Sequence, residues 1–393
     1  FEEHDLKNMD IKDFSMNSPI VGDAVRSLYK KYIQNKKDLA LLSDQMISVR
    51  QDISDSATSE MSSADLVSDL LQSNNNYFSE LEDIASKEAE LIDMKLGNRF
   101  KSMIAYLKEK FSITVDLAEE GFIENFSKRF YKEKKLLKIS NTLSRESKEF
   151  MVAQQIGLLV AENAIEKQLN LKGKLDENGR ALGRTVLANY FASALLMPYE
   201  LFWITAEKCR YDIDMLCNRF DTSFEQVCHR LTTLQKENRK GIPFHFMRVD
   251  IAGNVSKRFS ISGLKIPRYS VACPRWNVYT AFLNPGKIKI QLSRMLDGST
   301  FICFARTVSK RIGDYRSPET FFSIGMGFDA KYAERCIYSD GIDFQKPVPT
   351  GLSCRTCERE NCRQRAFPPI HRTIKFDENV RGLSGYISPK TKK

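Results

Sequence analysis

Three cysteines lie within nine residues, in Cys354-Arg-Thr-Cys357-Glu-Arg-Glu-Asn-Cys362, and the run continues through Arg363, Arg365, Ala366, Phe367, Pro368 and Pro369. Packing alone seldom asks for this spacing. Buried structural cysteines scatter along apolar faces, whereas thiolate ligands must converge on one point and so gather in turns. The arginines among them are expected to lower the thiol pKa values and favour the metal-binding thiolate. Three local thiolates leave one ligand to find, because zinc and cubane iron–sulfur clusters usually take four. His371 is near, but a zinc knuckle places its histidine inside the run. Cys273, in Val271-Ala-Cys-Pro-Arg-Trp-Asn277, stands alone beside a proline and is the better fourth donor. An iron–sulfur centre is favoured over zinc, which stays the alternative; reduced cysteines with no metal are the plain reading.

A second group could hold phosphate. In Ala252-Gly-Asn-Val-Ser-Lys-Arg-Phe-Ser260, Gly253 and Asn254 supply a turn, and Ser256, Lys257, Arg258 and Ser260 supply charge and donors. An ordinary basic surface loop is the alternative. Hydrolytic chemistry has less to work with. The four histidines, at 4, 229, 245 and 371, include no pair four residues apart. His229 follows Cys228 on a helical pattern, so the two side chains diverge.

These groups need positioning by a chain of 393 residues, long enough for two or three domains. Hydrophobic content of 42% and charged content of 28% are ordinary for a globular protein. No apolar run approaches the roughly 18 residues that span a bilayer. Nine cysteines without even spacing argue against a disulfide scaffold and for a reducing cytoplasm. The net charge of +10 suits nucleic acid or a phosphorylated ligand, and residues 351–393 carry ten Lys/Arg against four Asp/Glu. The first residue is Phe1, and the native N-terminus is expected to lie upstream.

Residues 1–96 show helical periodicity (Val25, Leu28, Tyr32, Leu39, Leu42, Met46, then Leu66 to Leu96) around a polar connection at 51–64, and predict a helical connector or dimerisation arm. Residues 97–235 predict a mainly helical domain, with a short extended element at Phe111–Val115 and apolar helices at Phe150–Val160 and Leu187–Met197. Two further helices, Tyr211–Phe220 and Phe224–Leu234, are joined by Asp221-Thr-Ser, with Asp221 or Ser223 as cap and Glu225 exposed. A helix pair of this shape serves for packing more often than for reading DNA. Residues 236–393 predict a mixed α/β domain, with strands at Phe244–Asp250, Lys287–Leu292 and Thr300–Val308 and hairpin turns at Asp297-Gly298 and Asp340-Gly341. The class is α+β, predominantly helical in its first two-thirds.

Two resemblances are specific. The pair Phe150-Met-Val-Ala-Gln-Gln-Ile-Gly-Leu-Leu-Val160 and Leu187-Ala-Asn-Tyr-Phe-Ala-Ser-Ala-Leu-Leu-Met-Pro198 resembles the core of ImmA/IrrE-type zinc metallopeptidases. There a His-Glu-x-x-His helix binds the metal and a later helix supplies a glutamate. Here Val152-Ala-Gln-Gln-Ile-Gly157 has neither His nor Glu, and Leu187 replaces the third ligand. The resemblance implies a degenerate, zincin-like scaffold without catalytic residues.

The second covers about residues 15–390. Arg210-Tyr-Asp-Ile-Asp, Ser223-Phe-Glu-Gln-Val-Cys-His-Arg-Leu-Thr-Thr-Leu234, Gly241-Ile-Pro-Phe-His-Phe, Arg248-Val-Asp-Ile-Ala-Gly-Asn-Val-Ser-Lys-Arg-Phe259, Cys273-Pro-Arg-Trp-Asn277 and the cysteine run with Arg-Ala-Phe-Pro-Pro resemble the short-chain fatty acyl transcriptional regulators. These are bacterial regulators of propionate, acetate and glyoxylate-cycle genes. The resemblance implies a promoter-binding helix-turn-helix preceding this chain, short-chain acyl-CoA as effector, and a four-iron, four-sulfur cluster on Cys354, Cys357 and Cys362. Cys273 as fourth ligand is a reading of its own motif. For acyl-CoA, Arg248, Lys257 and Arg258 are candidate phosphate partners, and Phe244, Phe246, Tyr211 and Trp276 candidate lining. A cytoplasmic homodimer whose geometry answers to acyl-CoA is expected. The competing readings are a residual peptidase, an acyl-CoA thioesterase, or a zinc-stapled redox sensor.

Overall fold

The computed structural model describes residues 19–52, 63–118, 126–170, 175–266, 272–311, 316–360, 362–370, 374, 378–379 and 381–386. Helix α1, Pro19–Asp52, leaves Val25, Leu28, Tyr32 and Leu39 exposed. It meets the C-terminal part through Lys36–Glu358 (2.7 Å) and Lys265–Asp38. The expected arm ends sooner than residue 96. Helices α2 (Ser63–Ser73) and α3 (Ser79–Leu91) bury Leu70, Leu81 and Ala85 in the first of two large hydrophobic cores.

That first core is completed by α4 (Arg99–Phe111), a small sheet of β1 (Thr114–Ala118), β2 (Lys128–Tyr131) and β3 (Leu136–Ser140) in the order β1-β3-β2, and helices α5 (Arg145–Val160), α6 (Glu162–Asn170) and α7 (Glu177–Leu196). Helices α5 and α7 contain the two apolar stretches and begin earlier than them, because polar caps extend them. Ser144 accepts from the Ser147 N–H, and Asp176 from the Gly179 N–H. They approach closely because α5 carries Gly157, where a Cβ would stand 2.7 Å from the Phe191 ring of α7.

The second core begins at Met197, well before residue 236. Helices α8 (Tyr199–Lys208), α9 (Ile213–Phe220) and α10 (Phe224–Leu231) pack on one face of a six-stranded sheet. Ser223 caps α10 in a reciprocal box with Gln226. Helix α10 buries Phe224, Val227, Cys228 and Leu231 together with Glu225. The pair α9–α10 is therefore a packing unit, and Glu225, expected on the surface, is inside.

The sheet comprises β4 (Phe244–Asp250), β5 (Val255–Ser260), β6 (Lys289–Arg294), β7 (Thr300–Lys310), β8 (Thr320–Asp329) and β9 (Val348–Pro349), in the order β5-β4-β8-β7-β6-β9. Only β6–β9 is parallel. The expected phosphate loop is a hairpin turn around Gly253 (φ +88°), and its Ser256, Lys257 and Arg258 belong to edge strand β5. Asp297-Gly298 turns β6 into β7, whereas Asp340-Gly341 follows a 3-10 turn and joins no hairpin. The two-residue period of the strands sorts side chains onto two faces. Phe244, Phe246, Ile302, Phe304, Ile324, Met326 and Phe328 face the helices. Met247, Val249, Phe301 and Ala305 face short helix α11 (Asn277–Thr280) and the segment of Cys273. On that second face Gly325 and Gly327 make room for Val278 and His245. No helix of the described residues is long and apolar enough to cross a membrane.

Two buried ion pairs join the cores. Arg230 of α10 donates to both Glu82 carboxylate oxygens (2.5 and 2.9 Å) and to Met197 O (2.9 Å). Tyr190 donates to Glu82 Oε1 at 2.6 Å. Arg99 binds Glu149 and the carbonyls of Phe220 and Asp221. Removing one partner strands the other charge in the interior. Glu82→Ala is expected to cost about 3–5 kcal/mol in chemical denaturation, and the double change Glu82→Leu with Arg230→Met markedly less.

Candidate functional site

The cysteine site is assembled from two distant segments. An antiparallel bridge pairs Ala272 with Ser353, and the Cys273 N–H donates to Leu352 O at 2.9 Å. Trp276 donates through Nε1 to Gly351 O at 2.9 Å. Cys273 is thereby spliced beside Cys354 and Cys357, and burial holds all four cysteines at 6–8% exposure. Gly351 faces Cys357 so closely that a Cβ would stand 3.0 Å from its Sγ.

The loop is wrapped around Arg365, which is 4% exposed. Its Nη1 donates to the carbonyls of Cys354 (2.7 Å) and Phe367 (3.4 Å), and its Nη2 to those of Cys357 (2.8 Å) and Arg359 (2.6 Å). The planar guanidinium fork suits this gathering of carbonyls, which a lysine point charge would not reproduce. Its Nε–H is buried without a partner among the described residues. The Ala366 N–H donates to Cys354 Sγ at 3.4 Å. Among the described residues no three or more His, Cys, Asp or Glu side chains are grouped so as to hold a metal ion. His371 lies outside them.

The expectation of lowered thiol pKa values is corrected for two of the four. Burial pushes the Cys273 thiol up, and Cys354 and Cys357 push it further when ionised. Burial also pushes up Cys357, outweighing the pull of Arg365 and Arg359. These thiols are protonated at neutral pH unless a cation takes the proton's place.

The seven residues expected around acyl-CoA do not form one pocket. Phe244, Phe246 and Tyr211 are fully buried core residues; Tyr211 donates to Glu207 Oε1 and accepts from the Ile242 N–H. Trp276 is on the opposite face of the sheet, where it lines a cavity of about 20 Å³ with His245, Met247, Phe301, Cys303 and Thr350. That space holds a water, not an acyl chain. Arg258 points to Asp65 of α2 (3.7 Å). Arg248 and Lys257 do come together, opposite one another across β4 and β5.

What joins them is Glu225, whose carboxylate meets Arg248 (3.0 Å), Lys257 (3.1 Å) and Lys310 (2.5 Å). His229 and these lysines hold the Glu225 carboxyl far below its usual range despite burial. Three cations on one carboxylate leave positive charge in excess. Phe322 lies beneath it, 4.5 Å from the Arg248 guanidinium and 5.9 Å from Lys310. Glu225, Lys310 and Phe322 are invisible to local spacing, because they come from three elements spread over nearly a hundred residues.

A histidine–cysteine pair is equally hidden from the sequence. His245 Nε2 lies 3.8 Å from Cys303 Sγ, and Nδ1 lies 2.8 Å from Ser262 Oγ. Burial pushes His245 down to about 3 and Cys303 up to about 12, so both are neutral and form no nucleophilic ion pair.

Similarity to known proteins covers nearly the whole chain. Residues 233–386 match the family described as "Short-chain fatty acyl coenzyme A regulator, C-terminal", and residues 109–232 match "IrrE N-terminal-like domain". HTH-type transcriptional regulator PrpR of Mycobacterium tuberculosis is 32% identical over 98% of this chain and 79% of its own length. The propionyl-CoA carboxylase regulator of Cereibacter sphaeroides is 32% identical over 96% and 79%. RamB of Mycobacterium tuberculosis is 40% identical over 64% of this chain and 54% of its own. A solved Mycobacterium tuberculosis transcriptional regulator superposes with a TM-score of 0.78 at 34% identity, covering 83% of this chain and 99% of that one.

The buried histidines set a pH dependence. Burial lowers His245 to about 3 and His229 to about 4, so both stay neutral when folded but bind protons below about 6.5 when unfolded. Their contribution is complete above pH 6.5 and is lost as pH falls toward the folded values. Denaturation at pH 7.5 and 5.0 is expected to show a loss of about 2 kcal/mol per histidine. His245→Gln should remove roughly half of that difference.

Proposed function

The chain belongs to the family of short-chain fatty acyl coenzyme A regulators, and from that premise we propose that it is the effector-sensing region of a transcriptional regulator of short-chain acyl metabolism. The observation that carries this is the 32% identity to PrpR over 98% of the chain. It is a regulator and not an enzyme. Helices α5 and α7 keep the peptidase frame with Gln154, Gln155 and Leu187 at its heart, all buried.

Acyl-CoA is the proposed effector. Its phosphates would take up the excess charge of Arg248, Lys257 and Lys310, with Phe322 as a face for the adenine. Arg258 is committed to Asp65 and is a secondary candidate. The short acyl chain needs an apolar slot, which the helix face of the sheet, where these cations lie, would open only on binding.

The four-iron, four-sulfur cluster is the proposed cofactor. The donor set supports it: Cys273, Cys354, Cys357 and Cys362 are all sulfur and buried, and one sulfur accepts a backbone N–H. Bound there, the cluster would supply one-electron chemistry. The chain's own share is to gather the thiols through Arg365 and the Ala272–Ser353 bridge.

Helix α1 is the proposed output. Its exposed stripe of Val25, Leu28, Tyr32 and Leu39 is spaced for pairing with a second copy of the chain. Lys36 ties it to Glu358, the neighbour of Cys357. A promoter-binding helix-turn-helix module, as in the relatives' names, would be joined to α1 and would answer to its geometry.

Calorimetric titration with propionyl-CoA tests the effector. Saturable binding without release of free CoA thiol is expected. Lys257→Ala and Lys310→Ala should each weaken binding about tenfold, the worth of one charged hydrogen bond. Absence of binding by the parent protein, or unchanged affinity in both variants, would contradict the reading.

A further inference from the structure

The helix pair that matches the peptidase core is met by a cation from β2. Placing the His-Glu-x-x-His spacing on α5 puts Gln154 and Leu158 at the two histidine positions and Gln155 at the base. Leu187 of α7 takes the third ligand position. A cleft stripped of its ligands and left with two buried glutamines, 7% and 3% exposed, needs partners for their amide oxygens. Lys128 of β2 supplies them. Its Nζ donates to Gln154 Oε1 at 2.6 Å and to Gln155 Oε1 at 3.2 Å. Gln154 Nε2 in turn donates to Asn189 Oδ1 at 2.7 Å, carrying the chain of bonds onto α7.

We propose that the Lys128 ammonium is a built-in replacement for the peptidase metal, tying β2, α5 and α7 together and barring a divalent ion from the cleft. This goes beyond the regulatory reading and depends only on the fold. The chemistry of the partners matches the substitution. A metal of charge two asks for carboxylate and imidazole, whereas a singly charged ammonium is satisfied by neutral amide carbonyls, which add no negative charge to a buried site. Among the described residues Lys128 has no carboxylate partner. Its removal from water pushes the amine down to about 8. Nearby surface lysines such as Lys132, Lys134 and Lys135 are exposed, so Lys128 is turned inward by its place on the strand and not by local composition.

Two measurements test this. First, Lys128→Met keeps the stem and removes the charge, leaving both glutamine oxygens unpaired. Its melting temperature is expected to fall by about 3–6 °C. An NMR titration with isotope label at lysine Cε should show a resonance titrating near pH 8 that is absent from the variant. Second, Gln154→His, Leu158→His and Leu187→Glu together rebuild the ligand set. With Lys128 present this variant should take up no zinc in equilibrium dialysis; with Lys128→Ala added it should take up about one per chain. Zinc uptake with Lys128 in place would overturn the proposal. If the rebuilt variants fail to fold, the first measurement decides: an unchanged melting temperature in Lys128→Met would equally overturn it.

Discussion

The interaction on which the rest of the molecule depends is the buried pair of Arg230 and Glu82. Arg230 is 0% exposed, and its guanidinium reaches a carboxylate on α3, the turn after α7 and Thr233 just beyond its own helix. Two hydrophobic cores alone would fix the distance between the halves but not their angle, because apolar contact has no direction. A forked donor bound by two oxygens does have direction. Arg99 repeats the device at the other end of the junction, binding Glu149 and the carbonyls that close α9. The sheet, the cysteine loop and the charge cluster at Glu225 are thus carried on a rigid frame. Helix α1 is attached differently. Its ties to Glu358 and Lys265 are solvent-exposed ion pairs, which contribute little to stability and are easily exchanged. A rigid frame with a loosely attached helix suits the proposed regulation, because a ligand can shift only an equilibrium between states close in energy.

Much of this frame is legible in the sequence. The cysteine spacing, the alternation in Phe244–Asp250 and the apolar helices around Gln154 and Leu187 are local patterns, and local patterns survive folding. Sidedness is not legible. Phe244 and Phe246 look like lining for an apolar slot, but a strand has two faces, and only packing decides that His245 and Met247 meet the cavity instead. Glu225 reads as a surface residue because α10 is short and polar. Its three cations arrive from β4, β5 and β7, which no spacing along the chain foretells. Arg365 reads as charge near thiols, yet it acts as a buried clamp on carbonyls. Helices α2 and α3 read as an arm because their apolar faces are narrow, though both are covered by α7.

A single logic connects the lost peptidase site to the sensing reading. A metallopeptidase fold supplies two helices held at a fixed angle around a polar cleft. Without those ligands the angle is kept by other means, here Gly157 against Phe191, and the chain of hydrogen bonds from Lys128 through Gln154 to Asn189. The scaffold then serves to hold the C-terminal domain in place. In that domain the thiols gather from two loop segments and the cations from three separate strands. Burial keeps the thiols of Cys273 and Cys357 raised, and a protonated, buried thiol resists both oxidation and disulfide exchange.

Most depends on whether Cys273, Cys354, Cys357 and Cys362 together hold an iron–sulfur cluster, as proposed. The most direct measurement is an anaerobic visible spectrum of freshly purified protein, with iron, sulfide and zinc determined on the same sample. A broad brown absorption with about four irons and four sulfides per chain, lost in Cys357→Ser, is the predicted result. A colourless protein with about one zinc per chain, or with no metal at all, would contradict it.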